Sequence, residues 1–161
     1  MLDEGAPVCD LELLHLGVPV LGICYGMQLM THLLGGEVER AAKREYGKAQ
    51  LLIDSSEDLF HGLDGAAGGQ GEQVWMSHGD KIKIPPPGFT GIAHSGHSPV
   101  AAMRHTATEL YGVQVHPEVV HTPNGAKMLQ NFLFRSCGCK PVWTMKSFVA
   151  STVEGLRQTI G

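Results

Sequence analysis

Val18-Pro19-Val20-Leu21-Gly22-Ile23-Cys24-Tyr25-Gly26-Met27 is an apolar run that stops at a cysteine between two glycines. Residues 18–23 carry no charge, as expected of a strand covered on both faces in a parallel sheet. Met27, Met30, Leu33 and Leu34 then recur at helical spacing, a stripe expected in the core, and Gly35-Gly36 stops the pattern. A strand that turns directly into a helix at Cys24 places the thiol on a sharp bend at a helix N-terminus. The expectation is an exposed sulfur with an acidified pKa. Gly22-Ile23-Cys24-Tyr25-Gly26 has the spacing of the Gly-x-Ser-x-Gly elbow with sulfur in place of oxygen. Gly22 and Gly26 are then structural, letting backbone approach the nucleophile closely.

Upstream, residues 10–16 read as a helix ended by Gly17, with Pro19 beyond it. Downstream come short strand-like stretches at 36–40, 49–53, 73–76, 89–94, 100–104 and 110–115. Residues 65–71 form a flexible glycine-rich loop that lacks the strand-and-helix context of a phosphate cradle. Pro85-Pro86-Pro87-Gly88 is a stiff turn. Thr122 caps a second helix, Pro123 takes its first position, and Met128, Leu129, Phe132 and Leu133 supply its apolar face. Residues 145–160 make a last amphipathic helix. A helix-rich front, a middle of antiparallel-looking strands and a closing strand-helix unit suit an α/β domain of three layers.

The 161 residues suffice for one domain with a core. A net charge of −4 without a basic stripe argues against a primary nucleic-acid or membrane role. The first residues lack the pattern of a signal peptide. Cys9, Cys24, Cys137 and Cys139 show no disulfide framework, so a reducing cytoplasm is the expected compartment. Cys137-Gly138-Cys139 lacks a second pair at zinc spacing, so no metal site is expected.

A nucleophilic cysteine needs a base, and the base needs an orienting group. Among nine histidines one is set apart: Tyr111-Gly112-Val113-Gln114-Val115-His116-Pro117-Glu118 places His116 at the end of an apolar strand. In open α/β sheets that is where sites collect. Pro117 biases His116 toward an extended backbone, and residues two apart on an extended chain face the same side. His116 and Glu118 can therefore serve one site, the carboxylate fixing the imidazole tautomer and leaving the other nitrogen for the thiol. Cys24, His116 and Glu118 make a triad with sulfur as nucleophile. His15, His32, His61, His94, His97, His105 and His121 lack such context and are expected at the surface.

Gly22-Ile23-Cys24-Tyr25-Gly26-Met27-Gln28 together with Val115-His116-Pro117-Glu118 resembles the class I (triad) glutamine amidotransferases. Leu34-Gly35-Gly36 and Met76-Ser77-His78-Gly79-Asp80 are similar to the branch that serves GMP synthetases. The resemblance covers about residues 3–140. It implies a flavodoxin-like α/β domain at 1–140 with a mostly parallel central sheet, an antiparallel strand region and its first strands missing. It also implies that residues 141–161 are a connector toward an ATP pyrophosphatase domain absent from this chain.

The implied chemistry is glutamine hydrolysis through a Cys24 thioester, delivering ammonia for amination of XMP to GMP. His116 shuttles the proton and Glu118 orients it. The Tyr25 backbone N–H donates to the oxyanion. Gln28, Ser77, His78, Gly79 and Asp80 bind or shape the glutamine site, the last four as a loop. No cofactor is implied within the chain; ATP and Mg²⁺ belong to the absent synthetase domain, which partners it in cis or in trans. A homodimer through the absent part is compatible with the resemblance. The family pattern has a Gly-Gly-Pro loop carrying a second oxyanion N–H. That loop and the first strands would precede Met1, and their absence would expose apolar surface beside residues 18–23. Two alternatives stand: a γ-glutamyl peptidase of the same fold, and a truncated non-catalytic module that binds glutamine or a synthetase.

Overall fold

A computed structural model describes residues 3, 5–63, 71–142 and 145–160. Its strands are β1 (Val20–Ile23), β2 (Glu37–Ile53), β3 (Glu72–Ile84), β4 (Phe89–His94), β5 (Ala102–His105) and β6 (Leu110–Val113). Its α-helices are α1 (Tyr25–Leu33), α2 (Gly125–Asn131) and α3 (Met145–Ile160). The strands form one sheet in the order β1-β6-β5-β4-β2-β3.

The expected α/β architecture is present, with a mixed sheet. Among the described residues only β1 and β6 pair in parallel; β2–β3, β2–β4, β4–β5 and β5–β6 are antiparallel. The mostly parallel sheet implied by the resemblance is thus corrected for these residues. The reason lies partly in the connections. β4, β5 and β6 follow one another through short turns, which join antiparallel neighbours, whereas parallel neighbours need a long crossover.

Alternation along the strands builds two apolar layers. On one face Tyr111 and Val113 pack with Leu51, Val74, Met76, Phe60 and Met128 of α2. On the other, Leu110, Met103 and Ile82 pack with Met27 and Met30 of α1. The Met/Leu stripe is therefore core, as expected. Leu13, Leu16 and Val18, beside the edge strand β1, are 46%, 66% and 54% exposed.

Several local expectations change. Residues 10–16 form only a 3-10 turn, Leu11–His15, capped by Asp10 accepting from the Glu12 N–H. The stretches at 36–40 and 49–53 are one long strand, β2, and the stretch at 73–76 continues to Ile84 as β3. Ser77–Asp80 is therefore strand rather than loop: Val74, Met76 and His78 alternate inward without a break. Thr122 does not cap α2, whose N-cap is Asn124, and α2 passes into a π-helical turn at Phe132–Ser136. Residues 64–70, most of the expected glycine-rich loop, lie outside the described residues. The helix expected at 145–160 is α3, and its described side chains are exposed.

Candidate active site

The parallel register of β1 and β6 assembles the site. Val20 pairs with Leu110 and Ile23 with Val113, so both strands end at the same level. The Cys24 N–H continues the ladder to the Val113 carbonyl at 2.7 Å. Cys24, just beyond β1, therefore meets the segment from Gln114 to Glu118, just beyond β6.

Cys24 has φ 49° and ψ −101°, a strained conformation for a residue with a side chain. It is the bend expected of a nucleophile elbow. A Cβ on Gly22 would lie 2.7 Å from the Gly26 carbonyl carbon and 2.8 Å from the Met27 nitrogen. Only glycine lets α1 start this close to β1. Gly26 differs: a Cβ there meets nothing within 4 Å, so its expected role in close approach is not seen among the described residues.

The thiol is half-buried rather than exposed, and its pKa is raised rather than acidified. Burial is the largest cause. Hydrogen bonds from the Tyr25 backbone N–H and the Gln114 amide pull the other way, and the Glu118 charge raises it further. The helix N-terminus does not overcome desolvation. Sγ donates to the Ser77 carbonyl at 3.7 Å and accepts from Gln114 Nε2 at 3.5 Å.

His116 Nδ1 is 2.7 Å from Glu118 Oε1, the pairing expected from the His-x-Glu spacing. Its Nε2 is buried and has no hydrogen-bond partner. The main chain of His116 is held firmly. Its N–H donates to the Trp75 carbonyl at 3.0 Å, and its carbonyl accepts from Thr122 Oγ1 at 2.7 Å. The same hydroxyl accepts from the Trp75 N–H at 3.0 Å. Gly125, the first residue of α2, has its Cα so near this segment that a Cβ would fall 2.0 Å from the Pro117 carbonyl oxygen.

The four residues from Ser77 to Asp80 reach the site mainly through backbone. The Ser77 carbonyl faces the thiol. The Asp80 carbonyl accepts from Gln28 Nε2 at 3.0 Å and from His78 Nδ1 at 2.9 Å. The His78 ring is buried, with Nε2 3.3 Å from Glu45 Oε2 across the β2–β3 ladder. Glu45 also accepts from the hydroxyls of Ser95 and Ser98. Burial pushes the His78 pKa down, and the Glu45 carboxylate offsets part of that. Gly79 and Asp80 border a polar hollow of about 370 Å³ shared with Arg40, Arg44 and Tyr46. Gln28 is 4% exposed; besides Asp80 it donates to Gln114 Oε1 at 3.3 Å.

Gln114, Gly125 and Glu45 were not singled out by sequence, and Thr122 was read only as a helix cap. Gln114 had a signal: it lies two residues before His116, as Glu118 lies two after, so extended geometry sends all three to one side. The other histidines are exposed, apart from the half-buried His94 and His105. Among the described residues no three His, Cys, Asp or Glu side chains cluster as metal ligands, and no helix is long and apolar enough to cross a membrane.

The chain is similar to known proteins. The family model for glutamine amidotransferase class-I matches residues 3–136. The chain is 50% identical over 161 residues to a GMP synthase [glutamine-hydrolyzing] of Ruminiclostridium cellulolyticum, covering 100% of this chain and 30% of that protein. It is 50% identical over 159 residues to the protein of the same name in Heliobacterium modesticaldum, covering 99% of this chain and 30% of that one. The chain thus spans about 30% of the length of these relatives. A crystal structure described as that of a GMP synthase subunit from Thermoplasma acidophilum superposes with a TM-score of 0.69 at 34% identity, covering 75% of this chain and 58% of that one. A glutamine amidotransferase from Thermotoga maritima has the same fold, with a TM-score of 0.65 at 20% identity over 80% of this chain and 66% of that one. With the family model covering most of its length, this chain belongs to the class-I glutamine amidotransferases.

Proposed function

We propose that the chain hydrolyses glutamine at Cys24 and that the ammonia aminates XMP to GMP in an attached or associated synthetase domain. The observation that carries the hydrolytic part is the state of His116. Glu118 occupies Nδ1 and Nε2 is buried without a partner, while the strand that precedes His116 ends level with the strand that bears the thiol. A base so arranged has one nitrogen committed and one available.

The steps follow from these groups. Glutamine enters and Sγ leaves the Ser77 carbonyl, giving its proton to His116 Nε2. The sulfur attacks the side-chain carbonyl carbon, and the Tyr25 N–H donates to the developing oxyanion; such a donor contributes about 10²–10³ in rate. The imidazolium returns the proton to the leaving nitrogen, releasing ammonia and a γ-glutamyl thioester. His116 then takes a proton from water, which attacks the thioester, and returns it to sulfur as glutamate departs. Gln28 and the backbone of Ser77–Asp80 border the substrate position.

The GMP branch is supported by the 50% identity to GMP synthases across the full chain. ATP and Mg²⁺ serve the synthetase half. No step here runs through either. Residues 141–161 form the connector to that half, and the setting is cytoplasmic.

The test is release of glutamate and ammonia from glutamine by the wild type and by Cys24→Ala, with stoichiometric labelling by a glutamine-analogue chloroketone. Turnover and labelling are expected only in the wild type. Equal turnover in both proteins refutes the proposal, and preferential turnover of a γ-glutamyl peptide transfers it to the peptidase reading.

A further inference from the structure

A chain of buried amides ends on the nucleophile, and its direction is fixed at the far end. The Asp80 carbonyl can only accept, so the group facing it at 3.0 Å must be the Gln28 NH₂. That same NH₂ reaches Gln114 Oε1 at 3.3 Å, which makes the near end of Gln114 its oxygen. The other end of Gln114 is then its NH₂, 3.5 Å from Cys24 Sγ. His78 Nδ1 donates to the same Asp80 carbonyl and leaves no reason for the chain to reverse. Gln114 is fully buried and Gln28 is 4% exposed, so water is kept from the bond between them.

We propose that Gln114 is a catalytic residue, a fixed N–H donor that stabilises the Cys24 thiolate as it forms, with Gln28 as the positioning residue that sets its direction. The proposal deepens the reading of Cys24 as nucleophile and rests on it. A protonated thiol bonds to the Ser77 carbonyl, and a thiolate is repelled by that carbonyl. Gln114 is the side chain whose contact strengthens as the proton leaves. The ionisable groups around the thiol are Glu118, which disfavours the thiolate, its partner His116, and, through the Asp80 carbonyl, His78 with Glu45.

The test reads thiol ionisation without glutamine. The rate of Cys24 alkylation by iodoacetamide is followed by peptide mass spectrometry from about pH 7 to about pH 11.5, with exposed Cys139 as internal reference. Gln114→Met keeps volume and removes the donor. Its Cys24 midpoint should move up by about one pH unit, with an approximately tenfold slower reaction on the acidic limb. Gln28→Met keeps the donor but releases its direction, and should move the midpoint up by a smaller amount. Cys139 should not move in either. An unchanged Cys24 midpoint in folded Gln114→Met overturns the proposal. If that variant does not fold, an unchanged midpoint in Gln28→Met does so. Because the probe bypasses glutamine, these results stand apart from failure of the hydrolysis assay.

Discussion

Thr122→Val removes one oxygen and tests how His116 is held. Thr122 is 3% exposed, and its hydroxyl bridges two main-chain groups from different segments, accepting from the Trp75 N–H at 3.0 Å and donating to the His116 carbonyl at 2.7 Å. Valine fills the same volume, so no cavity term enters. The cost is that two main-chain groups on half-buried residues each lose a partner. The N–H is left unsatisfied, at about 1–3 kcal/mol, and the carbonyl loses a bond of about 1 kcal/mol. A destabilisation of about 3 kcal/mol is expected, which lowers the melting temperature by about 6–12 °C in a domain of this size. Urea unfolding monitored by tryptophan fluorescence measures it, with Thr122→Ser as the control that keeps the bridge. Glutamine turnover should fall more than the folded fraction does, because the His116 carbonyl is released. A Thr122→Val protein within about 0.5 kcal/mol of the wild type would refute the reasoning.

Gly22 and Gly26 should behave oppositely although they flank the same cysteine. Gly22→Ala forces a Cβ to 2.7 Å from the Gly26 carbonyl carbon, so α1 must move from β1, at about 1–3 kcal/mol with loss of thiol reactivity. Gly26→Ala meets open space inside a helix and should stabilise by about 0.5–1 kcal/mol; denaturation of both variants decides. The third prediction concerns His78, whose folded pKa lies below its ordinary value because of burial. Below about pH 6.5 the unfolded chain binds the proton that folded His78 refuses, so stability present above that pH falls as the solution is acidified. Urea midpoints from pH 8 to pH 5 should drop more steeply for the wild type than for His78→Gln. Parallel slopes would show that His78 does not set this dependence.

The cysteine elbow and the His116–Glu118 pair were legible because each carried a local backbone signature. An uncharged run ending at a glycine-flanked cysteine encodes the elbow, and His-Pro-Glu encodes an extended pair on one side. The strands around them were less legible where polar residues continue an apolar alternation. Val74, Met76 and His78 share one face of β3, yet His-Gly-Asp resembles a turn in isolation. The missing information was Glu45, which lies opposite His78 in register and offsets part of the cost of its burial. Thr122 failed for a related reason. Before Pro123 it reads as a helix cap, but its hydroxyl satisfies Trp75 and His116, contacts 47 and 6 residues away along the chain. Local pattern tells which groups are polar; tertiary pairing decides which partner satisfies them.

The raised thiol pKa fits this division rather than opposing it. Burial disfavours a thiolate in the resting site, and Glu118 adds negative charge that disfavours it further. The resting sulfur is therefore a thiol bonded to the Ser77 carbonyl, and His116 Nε2 is without a hydrogen-bond partner. On the proposed reading, proton transfer from one to the other is unfavourable until substrate displaces the Ser77 contact. At that moment Gln114 already points an N–H at the sulfur and Glu118 already faces the imidazole ring that gains the charge. Reactivity is thus generated when glutamine arrives, by groups whose directions a backbone carbonyl and a carboxylate have fixed in advance.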